Sequence, residues 1–176
     1  AWLQPKGPET CYPFYPKDAP KLNYDLKYFD IEMPYYPSEF TQVNPYINDE
    51  MVKLAMDMLA PESHEVIADF FCGIGNFTLP IAKSAKQVIG IEGSEALVKR
   101  AKENADYNGL GNKVAYQVCN LFTINEDWVK ELGHFDKWLI DPPRDGAFEL
   151  VKSITPESAP KRIVYISCNP ATLARD

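Results

Sequence analysis

The sequence predicts an α/β domain in which a mostly parallel sheet is covered by helices. From residue 65 onward, short apolar segments alternate with segments of helical periodicity, and glycines mark several turns between them. Buried parallel strands read as almost continuous apolar runs, and the chain usually passes from one to the next through a helix. The alternation therefore favours one α/β unit, and the sequence contains no internal repeat that would favour an array.

The composition narrows the class of protein. Of the 176 residues, 45% are hydrophobic and 24% are charged, which is typical of a soluble globular domain with its own core. No apolar run approaches the roughly 20 residues of a membrane-spanning helix, and the N-terminus lacks the features of a signal peptide. We therefore expect a cytoplasmic protein with no membrane partner. The net charge of −7 argues against a strong phosphate-binding surface, so contacts with RNA must be local or supplied from elsewhere.

The cysteines and histidines do not form a recognisable metal site. Cys11, Cys72, Cys119 and Cys168 are scattered without a C-x-x-C pair, and the two histidines have no ligand-like neighbours. We expect reduced thiols, with neither a metal ion nor an iron–sulfur cluster in this chain.

Residues 1–45 form a Pro- and Tyr-rich segment that leads into the core. Alternating apolar residues over Leu22–Leu26 and Tyr28–Met33 predict a hairpin or a pair of extended segments. Pro34 and Pro37 are expected to interrupt any strand there, because proline cannot donate to a strand ladder.

Residues 46–176 are interpreted as the cofactor-binding core, and a helix opens it. Asn44 suits the N-cap of this helix, Pro45 suits its first position, and Pro61 ends it. An apolar stripe at helical spacing is expected to pack on the core. Its members are Ile47, Met51, Leu54, Ala55 and Met58.

Five strands and four further helices follow. The predicted strands are 65–71, 87–92, 113–118, 135–141 and 162–167, and the predicted helices are 77–84, 94–108, 125–131 and 147–154. The sequence stops soon after the fifth strand, where a doubly wound domain normally continues, so we expect it to be a fragment.

The turn after the first strand reads Asp69-Phe70-Phe71-Cys72-Gly73-Ile74-Gly75-Asn76. Glycines there let the backbone approach a ligand beside the positive end of a helix. The third glycine of dinucleotide enzymes is absent, which disfavours a nicotinamide oxidoreductase. The form D-x-F-x-G-x-G instead resembles motif I of class I methyltransferases, which bind S-adenosyl-L-methionine. A tight turn without a ligand is the alternative.

Two further strand ends carry candidate cofactor ligands. Glu92 ends the second strand, where an acidic side chain accepts hydrogen bonds from ribose hydroxyls. Asn120 follows the third strand, which in this fold lies near the adenine ring. A solvated glutamate and an asparagine that stabilises its own turn are the alternatives.

Asp141-Pro142-Pro143-Arg144 follows the fourth strand, where methyltransferases meet the base that they modify. Enzymes that methylate exocyclic amines commonly have an aromatic residue at the fourth position, so Arg144 points away from amine methylation. Asp141 could anchor the amino-acid end of the cofactor or the target base. A rigid turn with a buried aspartate cap is the alternative.

Cys168 follows the fifth strand in Ser167-Cys168-Asn169-Pro170. Carbon-5 of a pyrimidine is a poor nucleophile, and a thiolate that adds to carbon-6 activates it, which is covalent catalysis. The alternative, an inert buried thiol, fits Cys72, Cys119 and Cys11 better than Cys168, because ligands bind at the carboxyl ends of parallel strands.

Together these residues resemble the RNA uracil-5 methyltransferase family, and within it the 23S ribosomal RNA branch. The resemblance covers nearly the whole chain. The matching stretches are Trp2–Pro5, Phe40–Asn44, Phe71–Phe77, Glu92–Gly93, Asp141–Arg144 and Ser167–Asp176.

The resemblance implies a truncated class I methyltransferase fold and a set of site residues. Its cofactor contacts match Gln42, Phe71, Asn76, Glu92, Asn120 and Asp141, beside the glycines Gly73 and Gly75. Its nucleophile matches Cys168, and Asp141 and Arg144 would hold the base. The implied reaction methylates carbon-5 of a uridine in 23S rRNA and releases S-adenosylhomocysteine, with no obligate protein partner.

Several alternatives stay open. The family's N-terminal RNA-binding module and its later glutamate, which removes the carbon-5 proton, lie outside this sequence, so the isolated chain could bind cofactor without activity. A tRNA uracil-5 methyltransferase shares the chemistry. An RNA cytosine-5 methyltransferase usually has a second cysteine in the Asp-Pro-Pro region, which Asp141–Arg144 lacks.

Overall fold

The computed structural model describes residues 1–7, 10–18 and 22–176. Its strands are β1 (Trp2–Leu3), β2 (Tyr12–Pro13), β3 (Leu22–Leu26), β4 (Ile31–Tyr35), β5 (Val66–Phe70), β6 (Gln87–Glu92), β7 (Val114–Val118), β8 (Lys137–Ile140) and β9 (Arg162–Tyr165). Its helices are α1 (Pro45–Leu59), α2 (Thr78–Ser84), α3 (Glu95–Tyr107), α4 (Glu126–Leu132), α5 (Phe148–Lys152) and α6 (Pro170–Arg175).

A five-stranded parallel sheet organises the structure and confirms the predicted α/β class. Its strand order is β7-β6-β5-β8-β9, and every neighbouring pair is parallel. The chain moves outward from β5 to β7 on one side and then crosses to β8 and β9 on the other. In open α/β sheets, ligands bind in the crevice at the carboxyl ends of the strands where the order reverses. That point lies here between β5 and β8.

Apolar side chains fill both faces of the sheet. Within β5, Ile67 packs with one cluster and Ala68 with the other, as expected where successive side chains point to opposite faces. The first cluster also contains Leu59 of α1, and the second contains Leu150 of α5. All four residues of β8 are buried: Trp138, Leu139 and Ile140 are apolar, and Lys137 forms an ion pair with the buried Glu65 at 2.8 Å.

The N-terminal hairpin is confirmed and shares the first cluster. β3 and β4 are antiparallel, and Leu26, Ile31 and Met33 are buried with the helices on that face. The expected break at Pro34 is wrong, because Pro34 lies inside β4 opposite Asn23. A two-stranded ribbon has an open edge on each strand, and proline is tolerated where its missing N–H would point outward.

Helix α1 begins as predicted but buries a different face. The Asn44 side chain accepts hydrogen bonds from the N–H groups of Tyr46 and Ile47, at 3.0 and 3.2 Å. The predicted inward stripe is wrong for three of its members, since Ile47, Leu54 and Met58 are 63%, 59% and 57% exposed. The buried residues are Asn48, Asp49, Val52, Ala55, Met56 and Leu59. The buried face thus includes the polar residues Asn48 and Asp49. A prediction based on the spacing of apolar residues places such residues on the solvent side.

The predicted strands and helices after α1 are all present, with ends that differ by at most two residues. Helix α6 was not predicted from the sequence. Within the ranges that the structure describes, no helix is long and apolar enough to cross a membrane.

Candidate active site

The turn between β5 and α2 has an unusual backbone. Phe71, Gly73 and Gly75 have φ angles of 62°, 55° and 98°, in the left-handed region. This conformation costs a non-glycine residue free energy, and such strain concentrates at functional sites. A Cβ atom on Gly75 would lie 3.3 Å from the Tyr116 hydroxyl, whereas one on Gly73 would meet no atom within 4 Å. Gly73 therefore leaves open space beside the turn.

A buried polar group supports this turn from below. The Thr78 hydroxyl donates to Asp69 Oδ2 at 2.5 Å, and Asp69 is fully buried. Burial raises the pKa of Asp69 to about 7; the Thr78 hydrogen bond opposes this rise, and the nearby carboxylates of Asp141 and Glu92 add to it. Asp69 is therefore a structural residue that holds the start of α2 beneath the turn and is not exposed to a ligand.

Glu92 joins the turn to the next helix. Its Oε2 accepts from the Gly73 N–H at 3.2 Å, and its Oε1 accepts from the Ser94 N–H at 3.0 Å. Ser94 in turn caps α3 through the Leu97 N–H. A carboxylate has about four lone-pair directions. Two protein hydrogen bonds therefore leave both oxygens able to accept from a ligand.

The Asn76 side chain is largely engaged with the protein. Its Oδ1 accepts from the Tyr24 hydroxyl at 2.9 Å and from Asn48 Nδ2 at 3.0 Å. Its Nδ2 donates to Asn48 Oδ1 at 2.9 Å. The hairpin and α1 are thereby fastened to the glycine turn, and one amide hydrogen of Asn76 is left for a ligand.

The loop after β7 carries Asn120 and an aromatic pair. Asn120 Oδ1 accepts from the Phe122 N–H at 3.1 Å, so Asn120 stabilises its own turn. The ring centroids of Phe71 and Phe122 are 5.6 Å apart. Phe122 is exposed, and no signal in the sequence marked it. The two rings form an apolar wall at the carboxyl edge of the sheet.

Asp141 directly follows β8, and its N–H bonds to the Phe70 carbonyl of β5. Burial raises the pKa of its carboxyl group to about 6. Arg144 is exposed, and its carbonyl accepts from Asn169 Nδ2 at 3.3 Å. The Asp-Pro-Pro-Arg loop therefore touches the segment that carries Cys168.

Cys168 has the most accessible of the four thiols. It is exposed, whereas Cys72 is buried and Cys11 and Cys119 are partly buried. The Ser167 hydroxyl donates to the Asn169 carbonyl at 3.0 Å and accepts from the Asn169 N–H at 3.1 Å. This local ring of hydrogen bonds shapes the loop around the thiol.

Gln42 lies apart from this network. It is exposed in the segment between β4 and α1, and within the described ranges it has no hydrogen bond to another predicted site residue. Glu39, three residues earlier, fixes the segment to α3 through an ion pair with the buried Arg100 at 3.1 Å. In the described part of the chain, no three His, Cys, Asp or Glu residues come together as a possible metal site.

The chain is similar to known RNA methyltransferases. A sequence model of the family described as tRNA (uracil-5-)-methyltransferase matches residues 21–176. The 23S rRNA (uracil(1939)-C(5))-methyltransferase RlmD of Chromobacterium violaceum is 64% identical, over 99% of this chain and 34% of its own length. The enzyme of the same name from Nitrosospira multiformis is 54% identical, over 99% of this chain and 40% of its own length.

A solved structure of an RNA methyltransferase also resembles this chain. The tRNA (uracil-54, C5)-methyltransferase of Pyrococcus abyssi, in complex with S-adenosyl-L-homocysteine, matches with a TM-score of 0.73 and 28% identity, over 89% of this chain and 36% of that one. The chain spans between 34% and 40% of the length of the two curated relatives described above. These matches show that the chain belongs to the RNA uracil-5 methyltransferase family, as its motifs predict.

Proposed function

We propose that the protein containing this chain transfers a methyl group from S-adenosylmethionine to carbon-5 of a uridine in 23S rRNA, in the cytoplasm. The observation that carries the proposal is the exposed Cys168 thiol, in a segment hydrogen-bonded to the loop of Asp141 and Arg144. The 64% identity to a ribosomal RNA enzyme supports the choice of substrate.

The residues at the carboxyl edge of the sheet fit the methyl donor. Gly73 leaves open space, and Glu92 has lone pairs left for ribose hydroxyls. The carboxylates of Glu92 and Asp141 suit a cationic ligand. S-adenosylmethionine supplies an electrophilic methyl group on its sulfonium when it is bound. The residues that we propose to hold it are Gln42, Phe71, Gly73, Gly75, Asn76, Glu92, Asn120 and Asp141.

Cys168 is proposed to act as the nucleophile. Its thiolate forms a bond to carbon-6 of the uracil ring, and the electron pair of the 5,6 double bond moves to give an enolate that is nucleophilic at carbon-5. After carbon-5 has gained the methyl group, loss of the carbon-5 proton to a base restores the double bond and expels the Cys168 thiolate. This chemistry needs no metal ion.

Asp141 and Arg144 are proposed to hold the base and the reacting groups together. With its pKa raised to about 6, Asp141 is mainly ionised at neutral pH and can accept hydrogen bonds. The exposed Arg144 guanidinium can stabilise the enolate oxygen as negative charge develops. The uridine must leave its stack to reach both groups, because carbon-6 is inaccessible within a stacked helix.

A tRNA uridine is the second candidate substrate. The description of the matching family and the Pyrococcus abyssi structure both concern tRNA enzymes. The same site chemistry serves either RNA, so a comparison of the two substrates must decide. A chain that binds cofactor without turnover is the third candidate.

RNA containing 5-fluorouridine tests the nucleophile directly. A base can remove a proton from carbon-5 but cannot remove fluorine, so after methyl transfer the thiolate cannot be expelled and the Cys168–carbon-6 bond should persist as a denaturant-resistant complex. We expect this complex with the full-length protein that contains this chain and with its Cys119→Ala variant, but not with its Cys168→Ala variant. A 23S rRNA fragment should react faster than a tRNA transcript. Adduct formation by Cys168→Ala would refute the assignment.

A further inference from the structure

We propose that Asp176 and Tyr165 are positioning residues that hold the loop of Asp141 and Arg144 in register with the segment of Cys168. The inference rests on the proposed function, since it concerns the alignment of the two groups that would act on the uracil ring. Neither residue has a role in the mechanism derived above.

The Asp176 carboxylate is buried between the two segments. Its side chain is 1% exposed. Its Oδ2 accepts from the Ala147 N–H and from the Tyr165 hydroxyl, each at 2.6 Å. Tyr165 is the last residue of β9, and Ala147 follows the Asp141–Gly146 loop. One carboxylate oxygen therefore ties the end of a core strand to the far side of the loop.

Arg175 adds a second tie between α6 and the same loop. Its Nε donates to Asp176 Oδ1 at 2.8 Å, and its Nη2 donates to the Asp145 carbonyl at 2.8 Å. Gly146 has a φ of 78°, and a Cβ atom there would lie 2.6 Å from Arg175 Nη2. The loop and α6 thus pack too closely for a side chain at Gly146.

Cys168 lies in the segment whose two ends are joined by the Tyr165–Asp176 hydrogen bond. The Tyr165–Asp176 hydrogen bond joins residues 11 apart in sequence, and Cys168 lies between them. The loop on the other side is held at Ala147 by Asp176 and at Arg144 by Asn169. Movement of the Asp176 carboxylate would therefore displace Cys168 and Arg144 relative to each other. Such small displacements slow reactions that depend on alignment.

The charge on Asp176 is compatible with a permanent contact. Burial alone would raise the pKa of its carboxyl group, but hydrogen bonds from Tyr165, the Ala147 N–H and Arg175 lower that pKa below its usual value. The carboxylate stays ionised at neutral pH, and charge-assisted hydrogen bonds are the stronger kind.

Tyr165→Phe tests the role because it removes one hydroxyl and keeps the ring. Tyr107→Phe is the matched control, since the Tyr107 hydroxyl donates to a carboxylate oxygen of Glu32 at 2.8 Å on the hairpin. The measurements, made on the full-length protein that contains this chain, are the rate of adduct formation with 5-fluorouridine RNA at saturating S-adenosylmethionine, the affinity for S-adenosylhomocysteine, and the unfolding temperature.

We expect Tyr165→Phe to slow adduct formation by about tenfold and to leave the affinity for S-adenosylhomocysteine within about twofold. Tyr107→Phe should change neither quantity. Asp176→Asn, which keeps the shape of the side chain but weakens its acceptance of hydrogen bonds, should also slow the adduct. A merely structural contact would lower the unfolding temperature without slowing the reaction of the folded protein.

Unchanged adduct rates in both Tyr165→Phe and Asp176→Asn would overturn the positioning role and leave the proposed function intact. Failure of the full-length protein that contains this chain to form an adduct would contradict the proposed function, and the positioning role with it. The two failures are therefore distinguishable.

Discussion

Asn48 and Asn76 join their side-chain amides in a reciprocal pair. Asn48 Nδ2 donates to Asn76 Oδ1 at 3.0 Å, and Asn76 Nδ2 donates to Asn48 Oδ1 at 2.9 Å. Asn48 lies on the buried face of α1 and Asn76 in the glycine turn. The position of the proposed cofactor turn therefore depends on a helix that precedes the sheet.

Asn48→Ala should weaken both the fold and the proposed cofactor site. It leaves the Asn76 amide without two hydrogen bonds in a partly buried place, which should cost about 1–3 kcal/mol of unfolding free energy. The affinity for S-adenosylhomocysteine, measured by calorimetry where the variant is still folded, should fall. Asn23→Ala is the control, because Asn23 is an exposed asparagine on the hairpin. Equal affinities in the two variants would contradict the coupling.

Asp69 should make stability depend on pH. Burial raises its pKa from 3.8 to about 7, so the folded chain holds this proton more tightly than the unfolded chain does. The resulting stability is fully present below about pH 4 and is lost as the pH rises through about 7.

Urea denaturation across this pH range should reveal the effect. The fall in unfolding free energy between about pH 4 and about pH 7 should be smaller in Asp69→Asn by up to ~4 kcal/mol, at about 1.36 kcal/mol per pKa unit. Asp25→Asn, at an exposed position on the hairpin, should keep the slope of the unmodified chain. An unchanged slope in Asp69→Asn would show that Asp69 titrates normally.

The two faces of α1 should respond differently to truncation. Leu59 is fully buried, and Leu59→Ala should lower the unfolding free energy by about 2–5 kcal/mol through lost burial and a cavity. Leu54 is 59% exposed, and Leu54→Ala should change it by no more than about 0.5 kcal/mol. Chemical denaturation of both variants decides which face packs on the sheet, and a larger loss at Leu54 would reverse the assignment.

Local signals predicted most of the fold. The apolar residues Trp138, Leu139 and Ile140 identify a buried strand, and Asn44-Pro45 identifies the start of α1. The same Asn-Pro pair at Asn169-Pro170 begins α6, a helix that was not predicted although this signal was present. The inward face of α1 was assigned wrongly because burial of Asn48 depends on a partner 28 residues away.

The candidate site also contains residues that the sequence predicts and residues that it does not. The glycine turn and Glu92 follow from residue type and position at strand ends, and the structure joins them through the Gly73–Glu92 hydrogen bond. Tyr165 and Asp176 could not be singled out from the sequence. Their proposed role depends on the hydrogen bond between the Tyr165 hydroxyl and the Asp176 carboxylate. No local sequence pattern predicts a hydrogen bond between side chains that are 11 residues apart.

Binding of S-adenosylhomocysteine, measured by calorimetry on this chain, on Glu92→Ala and on Glu95→Ala, tests the cofactor site most directly. Glu95 is an exposed carboxylate in the first turn of α3 and controls for the loss of one negative charge. The account predicts binding that Glu92→Ala weakens by about 2–4 kcal/mol, through loss of charge-assisted hydrogen bonds of about 1.5–3 kcal/mol each, while Glu95→Ala leaves it unchanged. No binding by the folded, unmodified chain, or equal binding by all three proteins, would contradict it.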